Sequence, residues 1–137
     1  MQAPLSSSPA RSALMRRVKT KNTAPELAVR RALHAVGIRF RLHPTTLPGR
    51  PDIVAPRRRT VIFIHGCFWH GHDCAHGRIR AKSNAGFWDA KIATNRERDR
   101  RKAAALRAMG WQVEIIWECE ADRPRKLAAL ARRLLAR

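Results

Sequence analysis

The sequence has few acidic residues and no long apolar run, and both absences narrow its possible functions. Only 10 of the 137 residues are Asp or Glu, against 29 Lys and Arg, which gives a formal net charge of +19. A small domain with that charge repels itself unless an anionic partner neutralises part of it, and nucleic acid is the leading candidate. A basic surface that serves solubility alone is the alternative, but solubility does not require so large an excess of basic over acidic residues.

Membrane and secretion signals are also missing. No segment approaches the roughly twenty consecutive apolar residues that a membrane-spanning helix needs, so we expect no membrane association. Residues 1–11 lack the charged and apolar regions of a signal peptide, which predicts a cytoplasmic protein. Cysteine is scarce as well: three residues, an odd number in a reducing compartment, favour a metal site or free thiols over a disulfide framework.

The pattern of apolar residues indicates one α/β domain. We expect a flexible tail over residues 1–8 and a single domain over 9–137. A first helix is indicated from Ser8-Pro9 through Met15, Arg16 and Arg17, and a second from a capping box that begins at Thr23 to a C-cap at Gly37. Two further helices are predicted over 87–109 and 125–135, and strands over 38–42, 52–55, 61–64 and 112–117. This order predicts a small mixed sheet flanked by helices, with the strand at 61–64 buried on both faces.

A cluster of cysteine and histidine predicts a zinc site. Cys67, His72 and Cys74 lie within eight residues, and Cys119 follows the last predicted strand. Three thiolates and one imidazole are typical of structural, tetrahedral zinc, and such a site would tie the loop to the far end of the sheet. We prefer His72 as the fourth ligand because it shares the short loop with two cysteines. Other histidines close enough to serve are His65, His70 and His76.

Pro51-Asp52, at the head of a predicted strand, matches the frame of the PD-(D/E)xK nucleases. In that frame a carboxylate at the sheet edge holds a divalent cation, which polarises the scissile phosphate and lowers the pKa of a bound water. The next strand should end in an acid and a lysine, but the matching residues are Phe63-Ile64-His65, so neither is present. A Pro-Asp pair is common in turns and is weak evidence by itself.

Longer motifs run through the middle of the chain. They are LPGRPD at 47–52, VIFIHGCFWH at 61–70, FW at 87–88 and WEC at 117–119, with Asn95, Arg98 and Asp99. Together these residues resemble the Vsr family of very-short-patch repair endonucleases over roughly residues 11–119. The resemblance implies a restriction-endonuclease-like fold with a structural zinc. It also implies a magnesium-dependent enzyme that nicks one DNA strand 5′ to the thymine of a T:G mismatch.

The resemblance assigns roles to individual residues. Asp52 would bind Mg²⁺ together with the main-chain carbonyl of Ile64, and His70 would be the general base that activates water. His65 would assist at the phosphate, and Glu26 would lie in the active site. The zinc ligands would be Cys67, His72, Cys74 and Cys119. The best-known form of the family has threonine where this sequence has Ile64, a change that is harmless only if the backbone carbonyl alone binds the metal.

The residues themselves support these roles unevenly. A histidine suits general-base chemistry because its ordinary pKa lies near operating pH, and neighbouring zinc ligands would fix the position of His70. A capping box already explains Glu26, so capping and catalysis both remain open. Asp99 shares a helical face with Ile92 and Leu106, and a carboxylate on an apolar stripe needs a partner. We hypothesise that Asp99 orients His70, with simple exposure as the alternative.

Aromatic residues beside basic sequence suggest contacts with DNA. Apolar wedges unstack base steps, and a mismatched step costs least to open. The resemblance implies that Phe68, Trp69 and Trp88 insert beside the mismatch. It further implies that Lys91 and Asn95 read the mismatch, while Met15 wedges from the opposite groove. Core packing is the alternative, and is favoured for Phe63, Trp111 and Trp117. Phosphate contacts are expected from the basic clusters at 57–59, 78–82 and 96–102.

The resemblance also implies partners, and the sequence leaves three other functions open. A cytosine methyltransferase and mismatch-repair proteins would be functional partners, and a nick in one strand suits a monomer. One alternative is a nuclease of the same fold with another DNA target. Another is a nuclease whose chemistry lies wholly in the Cys/His loop. The third is a zinc-stabilised module that binds DNA without cutting it.

Overall fold

The computed structural model describes residues 22–74 and 85–137, which form three α-helices and four β-strands. The helices are α1 (Ala24–Ala35), α2 (Ala85–Ala108) and α3 (Pro124–Leu135). The strands are β1 (Arg41–Leu42), β2 (Ile53–Ala55), β3 (Thr60–His65) and β4 (Gln112–Trp117). The tail proposed for residues 1–8, the first predicted helix with Met15, His76 and the basic cluster at 78–82 lie outside the described residues.

The strands form one mixed sheet in the order β1-β2-β3-β4. β1 with β2 and β2 with β3 are antiparallel, whereas β3 and β4 are parallel. Parallel neighbours need a long crossover, and α2 lies in the segment between β3 and β4. The prediction of an α/β fold with a small mixed sheet flanked by helices is therefore confirmed. Within the described residues, no helix combines the length and the apolar character needed to cross a bilayer.

β3 is the centre of the fold, and side chains from both of its faces are buried. Ile53 and Ile62 pack into a cluster with apolar residues of α1 and α3, such as Leu33 and Leu130. A second cluster on the other side joins Val54, Val61 and Phe63 to Leu106 of α2. The continuous apolar run at 61–64 predicted this two-sided burial, because a strand covered on both faces has no polar face to show.

The boundary between α1 and β1 differs from the prediction. The strand predicted over 38–42 is reduced to Arg41–Leu42, and Ile38 instead closes the end of α1. The N–H groups of Gly37 and Ile38 donate to the carbonyls of His34 and Leu33, both at 3.0 Å, with Gly37 at φ +78°. This is a Schellman-type C-cap, in which the residue after the glycine packs back on the helix. Ile38 is buried in the core without pairing in the sheet.

Candidate active site

Asp52 lies at the edge of the sheet, held by β3. Its N–H donates to the carbonyl of Ile62 at 3.0 Å, and its Oδ2 accepts from the N–H of Ile64 at 2.7 Å. Burial raises the pKa of the Asp52 carboxyl above its ordinary value, and the charge of Glu26 adds to that increase. The N–H of Ile64 acts in the opposite direction but does not outweigh burial. A cation at the same position would stabilise the ionised form of such a partly buried carboxylate.

Glu26 and His43 lie beside Asp52. Glu26 is 2% exposed, and its two carboxylate oxygens have different partners. Oε2 accepts from the guanidinium of Arg30, while Oε1 lies 3.0 Å from Nε2 of His43. Thr23 caps α1 by accepting from the N–H of Glu26 at 3.4 Å, so the cap uses the backbone of Glu26 and its carboxylate faces the site. The contacts of the carboxylate are therefore with Arg30 and His43 rather than with the helix cap, and its catalytic role stays a prediction.

His70 and Asp99 form a second histidine–carboxylate pair. Nδ1 of His70 lies 2.6 Å from Oδ2 of Asp99 on α2. Because an ionised carboxylate only accepts hydrogen bonds, this contact places the proton on Nδ1 and leaves Nε2 of His70 as a base. The contact is the one expected from the position of Asp99 on the helical stripe. The catalytic role of the pair stays a prediction.

His65 stacks on His70, with ring centroids 3.9 Å apart and planes 6° from parallel. His65 is 6% exposed, and its Nδ1 has no hydrogen-bond partner within the described residues, although Oδ2 of Asp99 lies 4.0 Å away. Burial, followed by the charge of His70, lowers the pKa of His65 to about 4, against the opposing effect of Asp99. His65 is therefore a neutral imidazole at pH 7.

Cys67, His72, Cys74 and Cys119 converge on one point. One ligand atom from each lies within 4.8 Å of the others, and Sγ of Cys119 is 3.4 Å from Nδ1 of His72. Burial raises the pKa of the Cys67 thiol to about 12 and also raises that of Cys119. Thiols of this kind ionise when a metal binds them, and three sulfurs with one nitrogen fit tetrahedral zinc. The structure thus brings together the four ligands expected from the sequence.

Gly71 sets the course of the loop between His70 and His72. Its φ is +68°, a left-handed backbone conformation that residues other than glycine rarely adopt. A Cβ on Gly71 would lie 2.5 Å from Cγ2 of Ile92 on α2. The loop can therefore approach α2 closely enough for His70 to reach Asp99 only because this residue is glycine.

Four aromatic rings form a partly exposed cluster beside the loop, and we call Phe68, Trp69, Phe87 and Trp88 the aromatic cluster. Trp69 and Trp88 pack edge-on at 5.6 Å, and each contacts Phe68 at 5.2 Å. Phe87 packs on Trp88 at 5.1 Å. Trp69 is 43% and Phe87 54% exposed, which is unusual for large apolar side chains. A surface of this kind suits contact with a partner such as unstacked bases.

The other predicted DNA contacts and core aromatics also have defined positions. Asn95 donates to the carbonyl of Trp69 at 2.9 Å, and Lys91 is exposed on α2. Phe63 is buried and Trp111 packs against the same core cluster, as core packing predicts, with the guanidinium of Arg59 over the Trp111 ring at 4.1 Å. Trp117 stacks on the His72 ring at 4.2 Å, so it contacts the loop at 67–74 that carries three of the expected zinc ligands, which we call the metal loop.

His43 is the site residue that the sequence interpretation missed. In the structure, residues 43–52 connect β1 to β2, and His43 and Asp52 are the two ends of this connection. Leu42 pairs with Ile53 in an antiparallel ladder, so the residues just beyond that pair, His43 and Asp52, must also be neighbours. The N–H of His43 indeed donates to the carbonyl of Asp52 at 2.9 Å. Without the register, nothing distinguished His43 from the other histidines.

Comparison with known proteins gives consistent results. A family model described as DNA mismatch endonuclease Vsr matches residues 6–76. The type II nicking enzyme V.XorIIP of Xanthomonas oryzae pv. oryzae is 54% identical over 122 residues, which cover 89% of each chain. The DNA mismatch endonuclease Vsr of Escherichia coli is 44% identical over 126 residues, which cover 90% of this chain and 80% of the relative.

A solved structure has a similar fold. The catalytic domain of the homing endonuclease I-Bth0305I superposes with a TM-score of 0.57, covering 84% of this chain and 96% of that chain. Its sequence identity is 17%, so this likeness concerns the fold alone.

Proposed function

Because the chain belongs to the Vsr family of DNA endonucleases, we propose that it nicks one strand of duplex DNA 5′ to the thymine of a T:G mismatch. The observation that carries the proposal is the position of Asp52. This partly buried carboxylate lies beside Glu26 and His43, and its pKa is raised chiefly by burial, with the charge of His70 as a small opposing effect. A metal ligand next to a histidine base supplies two groups that metal-dependent phosphodiester hydrolysis can use.

The residues at Asp52 fit a divalent cation. Mg²⁺ prefers oxygen ligands, and Asp52 with the main-chain carbonyl of Ile64 would supply them. When bound, the ion would polarise the scissile phosphate and make a coordinated water more acidic. Isoleucine at position 64 leaves the backbone carbonyl available, so the threonine hydroxyl of the best-known family member is not required in this proposal.

His70 would take the proton from the attacking water. With Asp99 accepting a hydrogen bond from Nδ1, the free Nε2 is the atom that receives this proton. Asp99 then stabilises the imidazolium that forms. His65, neutral and stacked on His70, would donate a hydrogen bond to the phosphate without adding a charge that repels the protonated base.

The zinc site would hold the general base in place. His70 lies between Cys67 and His72 in the chain, so a bound zinc would fix the loop on one side, while the short contact with Asp99 fixes it on the other. In this proposal zinc is structural, because four protein ligands leave no open position for substrate.

The aromatic cluster would supply the mismatch preference. Phe68, Trp69 and Trp88 would insert at the base step that opens most cheaply, and Lys91 and Asn95 would contact its edges. Met15 would act from the opposite groove. We further propose a monomeric enzyme, one domain over 9–137, acting on the bacterial nucleoid in the cytoplasm alongside a cytosine methyltransferase and mismatch-repair proteins.

The test is nicking of an end-labelled T:G duplex with Mg²⁺, compared with T:A and C:G duplexes. We expect a single cut 5′ to the mismatched thymine, and its loss in Asp52→Ala. Asp122→Ala, which removes an exposed carboxylate before α3, is the matched control and should cut normally.

Other outcomes of this assay identify the alternatives. Equal cutting of all three duplexes would keep the nuclease and reject mismatch specificity. Cutting that survives in Asp52→Ala would move the chemistry to the Cys/His loop. Salt-dependent binding without any Mg²⁺-dependent product would indicate a DNA-binding module that does not cut.

A further inference from the structure

Glu26, His43 and Asp52 form a compact group of three potential metal ligands. One ligand atom from each lies within 4.8 Å of the other two. Two of the atoms are carboxylate oxygens and one is an imidazole nitrogen. The group therefore differs from an all-oxygen magnesium site, and this difference in donor chemistry has consequences for the choice of metal.

The backbone brings His43 to this position at a conformational cost. His43 directly follows β1, and its N–H donates to the carbonyl of Asp52 at 2.9 Å. Its φ is +47°, in the left-handed region that few non-glycine residues occupy. That conformation directs the ring towards the first turn of α1, where Glu26 lies. Sparsely populated conformations of this kind cluster at functional sites.

The contact between Glu26 and His43 has the spacing of two ligands on one ion. Oε1 of Glu26 and Nε2 of His43 are 3.0 Å apart. Neighbouring ligands of an octahedral ion with bonds of about 2.1 Å are separated by about 3 Å, and opposite ligands by about 4 Å. The three ligand atoms lie within 4.8 Å of one another, so they need to move only slightly closer together to reach these separations.

The charges also favour a cation. Glu26 is buried and Asp52 partly buried, and the charge of Glu26 adds to the effect of burial in raising the pKa of Asp52. Arg30 balances part of this charge by bonding Oε2 of Glu26, but that bond leaves Oε1 facing His43. A divalent ion between Oε1, Nε2 and the Asp52 carboxylate would balance the rest.

We propose that His43 and Glu26 bind directly to the divalent ion held by Asp52, so that the catalytic ion has one nitrogen ligand. This inference rests on the metal-dependent hydrolysis proposed above and deepens it. Mg²⁺ gains little from an imidazole, whereas Mn²⁺ accepts nitrogen and oxygen ligands together. His43 therefore biases the site towards Mn²⁺ over Mg²⁺.

The test is Mn²⁺ binding to the zinc-loaded protein without DNA, measured by electron paramagnetic resonance. Pulsed spectra should contain the coupling of a directly bound ¹⁴N in the wild type. His43→Asn should lose that coupling and bind Mn²⁺ at least about tenfold more weakly, with Mg²⁺ affinity from competition changed by less than about threefold. Asparagine is chosen because it tolerates a positive φ, and His43→Gln is a second variant in case the first folds poorly.

The matched control is His34→Gln, which removes an exposed imidazole of α1 that packs on Phe40 at 4.7 Å. It should retain the ¹⁴N coupling and the wild-type affinity. A coupling that persists in both His43 variants, or its absence from wild-type protein that binds Mn²⁺ through Asp52, would overturn the proposal. Failure of the wild type to bind Mn²⁺ in an Asp52-dependent way would instead reject the metal-dependent mechanism itself.

Discussion

Nδ1 of His70 lies 2.6 Å from Oδ2 of Asp99, although 29 positions separate the two residues in the sequence. The pair joins the metal loop to the middle of α2. It fixes the tautomer of His70 and leaves Nε2 as the atom available for proton transfer. The first prediction tests whether this relationship matters for catalysis.

Asp99→Asn should lower kcat about a hundredfold while KM changes little. The amide can donate to Nδ1, which favours the tautomer with the proton on the wrong nitrogen. The measurement is the single-turnover rate of nicking, and Asp122→Asn is the control. A rate within threefold of wild type would contradict a positioning role for Asp99.

The proposed roles of His70 and His72 differ, since His72 is expected to bind zinc and His70 is not. The wild type should bind about one zinc ion per chain. His72→Gln and Cys74→Ser should lose this ion and melt at a lower temperature, because each breaks the closed tetrahedral shell. His70→Gln should keep its zinc and its melting temperature but lose nicking. Native mass spectrometry and thermal unfolding measure both properties. Retention of zinc by His72→Gln would show that another residue completes the site.

Gly71→Ala should disrupt both the metal loop and catalysis. The new Cβ would lie 2.5 Å from Cγ2 of Ile92, and the alanine would also have to adopt a positive φ. Gly37→Ala is the matched control, since φ there is +78° but no atom lies within 4 Å. The control should cost about 1 kcal/mol in the free energy of unfolding, from the backbone alone. Gly71→Ala should cost more and should reduce nicking, as measured by urea unfolding and rate assays. Equal costs at the two positions would argue against close packing at Gly71.

His65 should remain neutral well below pH 6. Burial and the charge of His70 lower its pKa to about 4 in the folded protein, against an ordinary value of 6.5. Between these two values the unfolded chain binds a proton that folded His65 does not. The contribution of His65 to stability therefore falls as pH drops from 6.5 to about 4. Histidine ¹⁵N chemical shifts of the zinc-loaded protein measure the titration directly. A midpoint above pH 6 would contradict this environment.

Trp69→Ala should reduce preference for the mismatch more than affinity for DNA. Loss of a stacking surface costs about 1–3 kcal/mol, and this loss should fall on the T:G duplex, where a base step is opened. Arg57→Ala should instead weaken binding to T:G and T:A duplexes equally, because phosphate contacts carry no sequence information. Fluorescence anisotropy with both duplexes distinguishes these outcomes. A uniform loss in Trp69→Ala would remove the aromatic cluster from mismatch recognition.

The sequence predicted most of the elements because their signals are local. The apolar run at 61–64 predicted β3, and α2 was predicted within two residues of its observed start and one of its observed end. The strand predicted over 38–42 was too long, since Gly37 and Ile38 form a helix cap. Alternating apolar residues do not distinguish a strand from a chain that folds back on a helix.

The sequence by itself determined the charge, the mixed α/β pattern and a Cys/His-rich loop with several candidate histidine ligands, because composition and short spacing survive without coordinates. It also determined the motifs that resemble Vsr. Only the tertiary structure decided what surrounds Asp52. Glu26, His43 and Asp52 come from three separate segments, and the register of β1 on β2 together with the packing of α1 brings them within 4.8 Å. Such proximity depends on pairing between segments that are distant in the sequence, and local sequence patterns contain no information about that pairing.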